Sequence, residues 1–252
     1  MTNTWNFLLH FFPYGHHRPR SVSKGTPPIG LEHSFDSRYP GGMTSVGMQG
    51  SIFDLDDTEP QIGRLGHTVT RRELTDGAWV DLRPGWITGA DALFDALHEN
   101  AAWRAERRRM YDRVVDVPRL LAQYPATATL PDPLLADARD ALSAHYRPEL
   151  PEGFATAGLC LYRDGADSVA WHGDRFGRGA TDDTMVAILS LGSPRPLALR
   201  PNGGGPSIRF LLSAGDLLVM GGSCQRTWEH AIPKCTGVGP RISVQFRPPG
   251  VW

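Results

Sequence analysis

The sequence has little lysine, little cysteine and no long apolar run. Only two of its 26 basic residues are lysines, and its three cysteines form no C-x-x-C pair. An odd and sparse cysteine count argues against a disulfide framework and predicts a reducing compartment, for which we expect the cytoplasm. No apolar run approaches the ~20 residues of a membrane-spanning helix, so we expect no membrane partner.

The sequence also lacks an excess of charge of either sign. Its 252 residues carry 26 basic and 27 acidic side chains, which gives a formal net charge of −1. This balance argues against a protein that binds nucleic acid by bulk charge alone, so any basic surface must be local. With 40% hydrophobic and 21% charged residues, the composition is that of a globular protein rather than of a disordered one.

The pattern of residues divides the chain. Residues 1–47 are rich in Gly, Pro, Ser and His without a sustained period of 2 or 3.6, which predicts a disordered or non-native N-terminal extension. We expect residues 48–252 to form a single domain, with a lid and support helices at about 79–150. Two helical signals in that part are the apolar stripe at 93–97 and the Asp-Pro pair at 132–133, an N-cap followed by proline at N1.

The remainder, about 154–248, is a series of short strand-like runs separated by Gly, Pro, Asp and Asn. Eight strands are predicted at 158–163, 168–174, 185–191, 197–200, 208–212, 217–220, 227–232 and 241–247. This spacing indicates a sandwich, a jelly roll or a barrel, and the lack of helix-length segments between the runs excludes a βαβ fold. We therefore predict a mainly β protein with flanking α-helices.

Two of the predicted strands carry residues that could bind a metal. His172 and Asp174 are two positions apart, so their side chains point to the same face of a strand. An isolated H-x-D triplet is a weak signal, but His230 lies in another predicted strand 56 residues after Asp174. Two histidines and one carboxylate form the facial triad that leaves open positions on Fe(II).

The last predicted strand, 241–247, has one polar and one apolar face. Period 2 places Arg241, Ser243, Gln245 and Arg247 on one face and three apolar side chains on the other. An edge strand with a solvated polar face explains this pattern, and so does a barrel strand whose arginines face the lumen. Buried guanidinium groups need anions, and a dicarboxylate cosubstrate would supply two.

Taken in order, these residues resemble the AlkB family, Fe(II)- and 2-oxoglutarate-dependent dioxygenases that repair alkylated nucleobases. The pattern H-x-D…H…R-x5-R carries the resemblance, and the segment LYRDGADSVAWHGD at 161–174 resembles the metal-binding segment of the family. Further matches are SLG at 190–192, GDLLVM at 215–220, WEH at 228–230, and PRL at 118–120 followed by Tyr124. The resemblance covers about residues 79–248.

The resemblance implies a fold, a set of cofactors and roles for individual residues. The implied fold is a double-stranded β-helix (a jelly roll) with an N-terminal α/β nucleotide-recognition lid, and the implied cofactors are Fe(II), 2-oxoglutarate and O2. The implied site consists of His172, Asp174 and His230 as iron ligands and catalytic centre, with Tyr162, Arg241, Arg247 and Ser243 around 2-oxoglutarate.

Three positions depart from the pattern of the family. Cys160 and Ser243 stand where many relatives carry asparagine, so the hydrogen bonds around 2-oxoglutarate are expected to differ. Phe176 stands where several relatives carry an acid that helps to read the base, which leaves the base preference open.

The implied reaction removes alkyl groups from bases such as 1-methyladenine or 3-methylcytosine in DNA or RNA, with formaldehyde, succinate and CO2 as products. The base must be single-stranded or flipped out, and it needs an aromatic face on which to stack. Tyr111 and Tyr124 are candidates for that face, and Arg109 and Arg113 could hold phosphates. A solvated helix face explains the arginines equally well. We expect a monomer without a protein partner.

Two alternatives stay open. A 2-oxoglutarate oxygenase that hydroxylates a protein, a lipid or a small metabolite would have the same site and a different lid. A jelly-roll binding module with a vestigial metal site belongs to another functional class, and the complete triad with both arginines argues against it.

Overall fold

The computed structural model describes residues 59–110, 113–175 and 177–251. The strands in these residues are β1 (Gln61–Ile62), β2 (Thr70–Glu73), β3 (Ala78–Arg83), β4 (Ile87–Thr88), β5 (Arg104–Met110), β6 (Arg113–Tyr124), β7 (Thr156–Tyr162), β8 (Val169–His172), β9 (Val186–Gly192), β10 (Arg195–Pro201), β11 (Ile208–Leu212), β12 (Leu217–Gly222), β13 (Trp228–Ile232) and β14 (Arg241–Arg247). The helices are α1 (Ala90–Asn100), α2 (Pro133–His145) and the one-turn α3 (Cys224–Thr227).

Two antiparallel sheets form the core. The major sheet has the order β2-β3-β12-β9-β14-β7-β6-β5, and the minor sheet has the order β11-β10-β13-β8. All eight strands predicted after residue 154 are present, with ends within two residues of the prediction. The mainly β jelly-roll prediction is therefore confirmed, and the N-cap prediction is confirmed by the Asp132 carboxylate, which accepts a hydrogen bond from the Leu134 amide at 2.8 Å.

Strand alternation separates two apolar layers. One face of the major sheet packs against α1 and α2, and Leu159, Leu189 and Val244 from the sheet meet Leu93 and Leu142 from the helices there. The opposite face packs against the minor sheet and includes Tyr162 and Ile188 of the major sheet together with Leu197 and Leu199 of the minor sheet. The polar face of β14 points into this second layer because Cα pairing places Arg241 opposite Tyr162. A solvated edge strand is thereby excluded for β14.

β5 and β6 form an antiparallel hairpin, so the interpretation of the arginine cluster as a helix face is wrong. β5 and β6 pair in antiparallel fashion, with Arg107 opposite Asp116, and β6 extends the major sheet by pairing with β7. The valines at 114, 115 and 117 favour extended backbone, which outweighs the helix propensity of the arginines.

The predicted division at residues 47–48 lies outside the described residues. No helix within the described ranges has the length and apolarity needed to cross a membrane.

A buried carboxylate in β3 connects the major sheet to the end of α2. Asp81 accepts two hydrogen bonds from Arg71 at 2.8 Å and one from the Tyr146 hydroxyl at 3.0 Å. Because a hydrogen bond to a charged acceptor contributes ~1.5–3 kcal/mol, we expect Tyr146→Phe to lower the free energy of unfolding in urea by about that amount. Tyr124→Phe is the control, since the Tyr124 hydroxyl accepts a weaker hydrogen bond, from the exposed Ala102 amide at 3.2 Å, and not one to a charged group. An equal loss in both variants would contradict the prediction.

Candidate metal and cosubstrate site

The minor sheet brings the two candidate histidines together. His172 in β8 and His230 in β13 are Cα partners across the ladder, and their ring centroids lie 4.2 Å apart. Asp174 follows β8, and its Oδ1 lies 3.8 Å from His172 Nε2. The three residues each offer a ligand atom within 4.8 Å of the others, which is the one such cluster in the described part of the chain. We call His172, Asp174 and His230 the triad.

The protonation states of the triad suit a metal. Burial lowers the pKa of His172, and burial together with the neighbouring His172 lowers the pKa of His230 to about 3. Burial by itself would raise the pKa of Asp174, but Arg247 and the two histidines outweigh it and lower that pKa to about 2. At neutral pH the imidazoles are uncharged and the carboxylate is ionised, and these are the forms that bind metal ions.

Further contacts orient two of the triad residues, His172 and Asp174. The Nδ1 of His172 lies 2.8 Å from the Ala170 carbonyl oxygen, so it donates there and leaves Nε2 as the lone-pair nitrogen. Asp174 Oδ2 accepts a hydrogen bond from Arg247 Nε at 2.7 Å, and the Asp174 amide donates to Gln225 Oε1 at 3.0 Å. Gln225 carried no sequence signal because it lies in the four-residue helix α3, too short to show a period.

Gly179 packs directly on the backbone of Asp174. A Cβ at position 179 would lie 2.3 Å from the Asp174 carbonyl oxygen and 3.6 Å from Val251 Cγ1. Because a backbone atom cannot move aside as a flexible side chain can, Gly179→Ala forces the backbone at residue 179 and the backbone of Asp174 apart.

We expect Gly179→Ala to weaken Co(II) binding by about 10-fold or more, as measured by titration of the metal-free protein. Gly239→Ala is the matched control, since a Cβ there meets mainly the rotatable Ser193 hydroxyl. Wild-type affinity in the Gly179→Ala protein would show that the close approach to Asp174 does not position the ligand.

Arg241 has buried hydrogen-bonding capacity that no other described residue uses. Its Nε donates to the Ser190 hydroxyl at 2.9 Å, and the residue has no exposed surface. Its Nη1 and Nη2 are buried without a hydrogen-bond partner in the described residues. Burial lowers the pKa of Arg241, and such a group is costly unless an anion completes it. A carboxylate accepts two parallel N–H bonds from a guanidinium, which matches the two free amino groups.

A second buried arginine nearby has a structural role. The guanidinium carbons of Arg241 and Arg195 lie 5.4 and 5.5 Å from the ring centroid of Tyr162. Arg195 donates from Nη1 to the Asp164 carbonyl and from Nη2 to the Asp167 and Pro233 carbonyls, each at 2.9 Å. Burial raises the pKa of Tyr162 to about 12. The Tyr162 hydroxyl therefore keeps its proton at neutral pH and can donate it to an anion.

Gln245 connects Cys160 and Ser243, the two positions at which the sequence departs from the asparagine of many relatives. Its Nε2 donates to the Ser243 hydroxyl at 2.7 Å, and the Cys160 thiol donates to its Oε1 at 3.6 Å. All three residues lie on the same face as Arg241, since Ser243 and Cys160 are Cα partners across β14 and β7. Gln245 had no role in the sequence interpretation, although its position on the polar face of the last strand was visible there.

The residues therefore fit the groups that the sequence resemblance implies. Two neutral histidines and one carboxylate are the donor set of a facial Fe(II) site. The amino groups of Arg241, unpaired among the described residues, and the protonated Tyr162 hydroxyl offer donors to one end of a dicarboxylate, and Arg247 lies beside the Asp174 carboxylate. The chemistry of these donors suits one metal ion and one acidic cosubstrate.

The predicted nucleotide contacts are only partly placed. Tyr111 lies outside the described residues, as do the side chains of Arg109 and Arg113 and the residue Phe176. Tyr124 packs against the helix-side layer, so the structure does not bring it to the triad. Arg119, five residues earlier and on the other face of β6, lies close to Cys160 and Tyr162 and donates to the Ser168 carbonyl at 3.3 Å. The sequence singled out Arg119 only as part of the PRL match.

Comparison with known proteins agrees with this arrangement. The 2OG-Fe(II) oxygenase superfamily matches residues 121–247, half of the chain and the part that contains the triad and both β14 arginines. Alpha-ketoglutarate-dependent dioxygenase alkB homolog 3 from Bos taurus is 30% identical over 190 residues, and the human protein of that name is 28% identical over 190 residues. Both alignments cover 67% of this chain and 65% of the relative, so the chain spans just under two thirds of those proteins.

A solved structure supports the same fold. The structure of OsALKBH1 superposes with a TM-score of 0.51 at 13% sequence identity, and the match covers 71% of this chain and 100% of that one. At this identity the likeness concerns the fold alone.

Proposed function

The chain belongs to the 2OG-Fe(II) oxygenase superfamily and, within it, to the AlkB family, and on that premise we propose that it removes alkyl groups oxidatively from the bases of nucleic acids. The proposed substrates are single-stranded or flipped-out bases with a methyl group on a ring nitrogen, such as 1-methyladenine and 3-methylcytosine, in DNA or RNA. The proposed products are the restored base, formaldehyde, succinate and CO2.

One observation carries the enzymatic part of the proposal. The triad converges on one point, and the same protein layer holds a buried guanidinium, Arg241, whose two amino groups have no partner in the described part of the chain. A vestigial site would be expected to lose at least one of these costly polar groups. Their joint presence therefore supports an active oxygenase over a binding module.

Each residue of the site would have its own role in binding the metal or the cosubstrate. His172, Asp174 and His230 would hold Fe(II), and Tyr162 and Arg241 would hold the distal carboxylate of 2-oxoglutarate. Arg247 would keep the Asp174 carboxylate ionised and oriented, and would lie near the carboxylate that chelates the metal. With Fe(II) and 2-oxoglutarate bound, O2 would be the oxidant: one oxygen atom would oxidise 2-oxoglutarate to succinate and CO2, and the other would hydroxylate a C–H bond of the alkyl group. The hydroxylated group then leaves the base nitrogen as formaldehyde.

Mass spectrometry of a single-stranded oligonucleotide with one 1-methyladenine tests the proposal. The oligonucleotide is incubated with the protein, Fe(II), 2-oxoglutarate and ascorbate, beside a His172→Ala control. Loss of one methylene mass with the wild-type protein alone is the expected result. Succinate without any change of the oligonucleotide would favour the alternative oxygenase that acts on a protein, a lipid or a small metabolite. Neither product from iron-loaded protein would overturn the proposed catalysis.

A variant of the β5–β6 hairpin tests the nucleic-acid substrate against the alternative of a protein, a lipid or a small metabolite. Arg107 is exposed on β5, with 71% of its side chain accessible, and its Nε lies 3.0 Å from Asp116 Oδ1. If the hairpin contacts a phosphate through Arg107, Arg107→Ala should lower the salt dependence of oligonucleotide binding by about 0.7 in the slope of log K against log[salt]. Arg139→Ala on α2 is the control. An unchanged slope in both variants would count against a phosphate contact at Arg107.

A further inference from the structure

We propose that four side chains on the outer face of the minor sheet fix the relative positions of the three triad residues. Trp171, Arg175 and Glu229 each adjoin a triad residue in sequence, and Arg200 joins two of them. We call Trp171, Arg175, Arg200 and Glu229 the outer-face cluster, and its members act as positioning residues. The inference rests on the proposed metal site.

Arg200 links the two strands that carry the histidines. It lies on β10 as the Cα partner of Glu229 on β13, and its Nε and Nη2 donate to Glu229 Oε2 at 3.0 and 2.9 Å. Its guanidinium carbon also lies 4.2 Å from the ring centroid of Trp171 on β8. Because β10 and β8 flank β13, roughly 10 Å apart, this one side chain spans three strands.

The same carboxylate reaches the segment that carries Asp174. Arg175 Nη2 lies 3.6 Å from Glu229 Oε1 and also donates to the Asn202 side-chain oxygen. Asn202 is itself anchored, since its Nδ2 donates to the Arg226 carbonyl at 2.7 Å. Glu229 therefore binds a cation at each carboxylate oxygen, one from β10 and one from the residue that follows Asp174.

Strand alternation transmits these contacts to the metal site. Adjacent residues in a strand point to opposite faces, so Trp171 and Glu229 lie outside where His172 and His230 lie inside. If the backbone of Trp171 or Glu229 shifts relative to the other strand, the imidazole of the next residue in the same strand shifts by a similar distance. The outer-face cluster can therefore hold the spacing of the ligands without contact with the metal.

The backbone pairing of β8 constrains the position of this strand only weakly. It is four residues long and lies at the edge of the minor sheet, where β13 is its one neighbour among the described strands. Its pairing with β13 also shifts register between the His172–His230 pair and the Val169–Ile232 pair. A short edge strand with a bulge leaves the backbone ladder a weak constraint on His172, and the Arg200–Trp171 contact adds a second one.

Co(II) titration of the metal-free protein tests the proposal, with absorption of the bound ion as the signal. We expect Arg200→Met and Glu229→Gln to weaken Co(II) binding by about 10–100-fold, the range found for partners of metal ligands. The double variant should bind Co(II) with the same affinity as the single variant that binds it less tightly, because both substitutions break the same network. Arg209→Met on the outer face of β11, away from the ligand-bearing strands, should bind Co(II) like the wild type.

Thermal unfolding of the metal-free variants separates positioning from stability. A role confined to sheet stability would lower the unfolding midpoint and leave Co(II) affinity and the Co(II) spectrum unchanged. Co(II) affinities within twofold of the wild type in Arg200→Met and Glu229→Gln would thus overturn the positioning role of the outer-face cluster and leave the proposed metal site intact. If His172→Ala also bound Co(II) like the wild type, the metal site of the proposed function would fail with it. Should Arg200→Met not fold, the near-isosteric Glu229→Gln decides the outcome.

Discussion

Replacement of Asp174 by asparagine is expected to lower oxidation of a methylated oligonucleotide by more than about 100-fold in a protein that stays folded. The amide keeps the volume of the carboxylate and can still accept the hydrogen bond from Arg247 Nε. It is, however, a neutral and weaker ligand for Fe(II). Alanine is the less informative substitution, because it would also remove the side-chain oxygen that accepts from the half-buried Arg247. Mass spectrometry measures the demethylated product, and circular dichroism checks that the variant is folded.

A matched control for this variant is Asp167→Asn. Asp167 is also a buried carboxylate paired with an arginine, and it accepts from the amide, Nε and Nη2 of Arg163 at 2.8–2.9 Å. It lies outside the triad, so its replacement should reduce stability while the activity of the folded protein changes only a few-fold. Equal losses of activity in the two variants would contradict a ligand role for Asp174.

Replacement of Arg241 by methionine is expected to raise the KM for 2-oxoglutarate by more than about 30-fold, because truncation of one partner of a buried charge pair costs at least ~2 kcal/mol. The free energy of unfolding without cosubstrate should fall little or rise, since the substitution removes a buried cation whose Nη1 and Nη2 are unpaired in the described structure. Initial rates at varied 2-oxoglutarate and urea denaturation measure the two effects.

Arg195→Met should show the opposite pattern. Its guanidinium lies at the same distance from Tyr162 to within 0.1 Å, but its amino groups donate to three backbone carbonyls. Each unsatisfied buried acceptor costs ~1–3 kcal/mol, so we expect a clear drop in unfolding free energy and a near wild-type KM. A large KM effect of Arg195→Met with no effect of Arg241→Met would exchange the roles of the two arginines.

The fold was largely predictable where the signal is local. Period 2 and the turn residues between runs identify the strands after residue 154, and the Asp-Pro pair identifies the start of α2. The β5–β6 hairpin was missed because its exposed arginines hide the alternation, and its pairing with β7 depends on residues about 40 positions away. Hairpins of charged residues resemble solvated helices in a single sequence.

The sequence by itself determined the chemistry that this protein can offer. The order H-x-D…H…R-x5-R names the triad and the two β14 arginines, because metal ligation and anion binding require those residue types and strand periodicity places them on one face. Only the tertiary structure decided which buried arginine is free. Arg241 and Arg195 are both buried, and what distinguishes them is which backbone carbonyls the folded chain brings within 2.9 Å.

The tertiary structure likewise decided what holds the ligands in place. The contacts of Asp174 with Gln225 and Arg247, and of Arg200 with Glu229 and Trp171, join residues 29 to 73 positions apart. Periodicity carries no information about which strands become neighbours, since sheet order follows from packing of the whole chain.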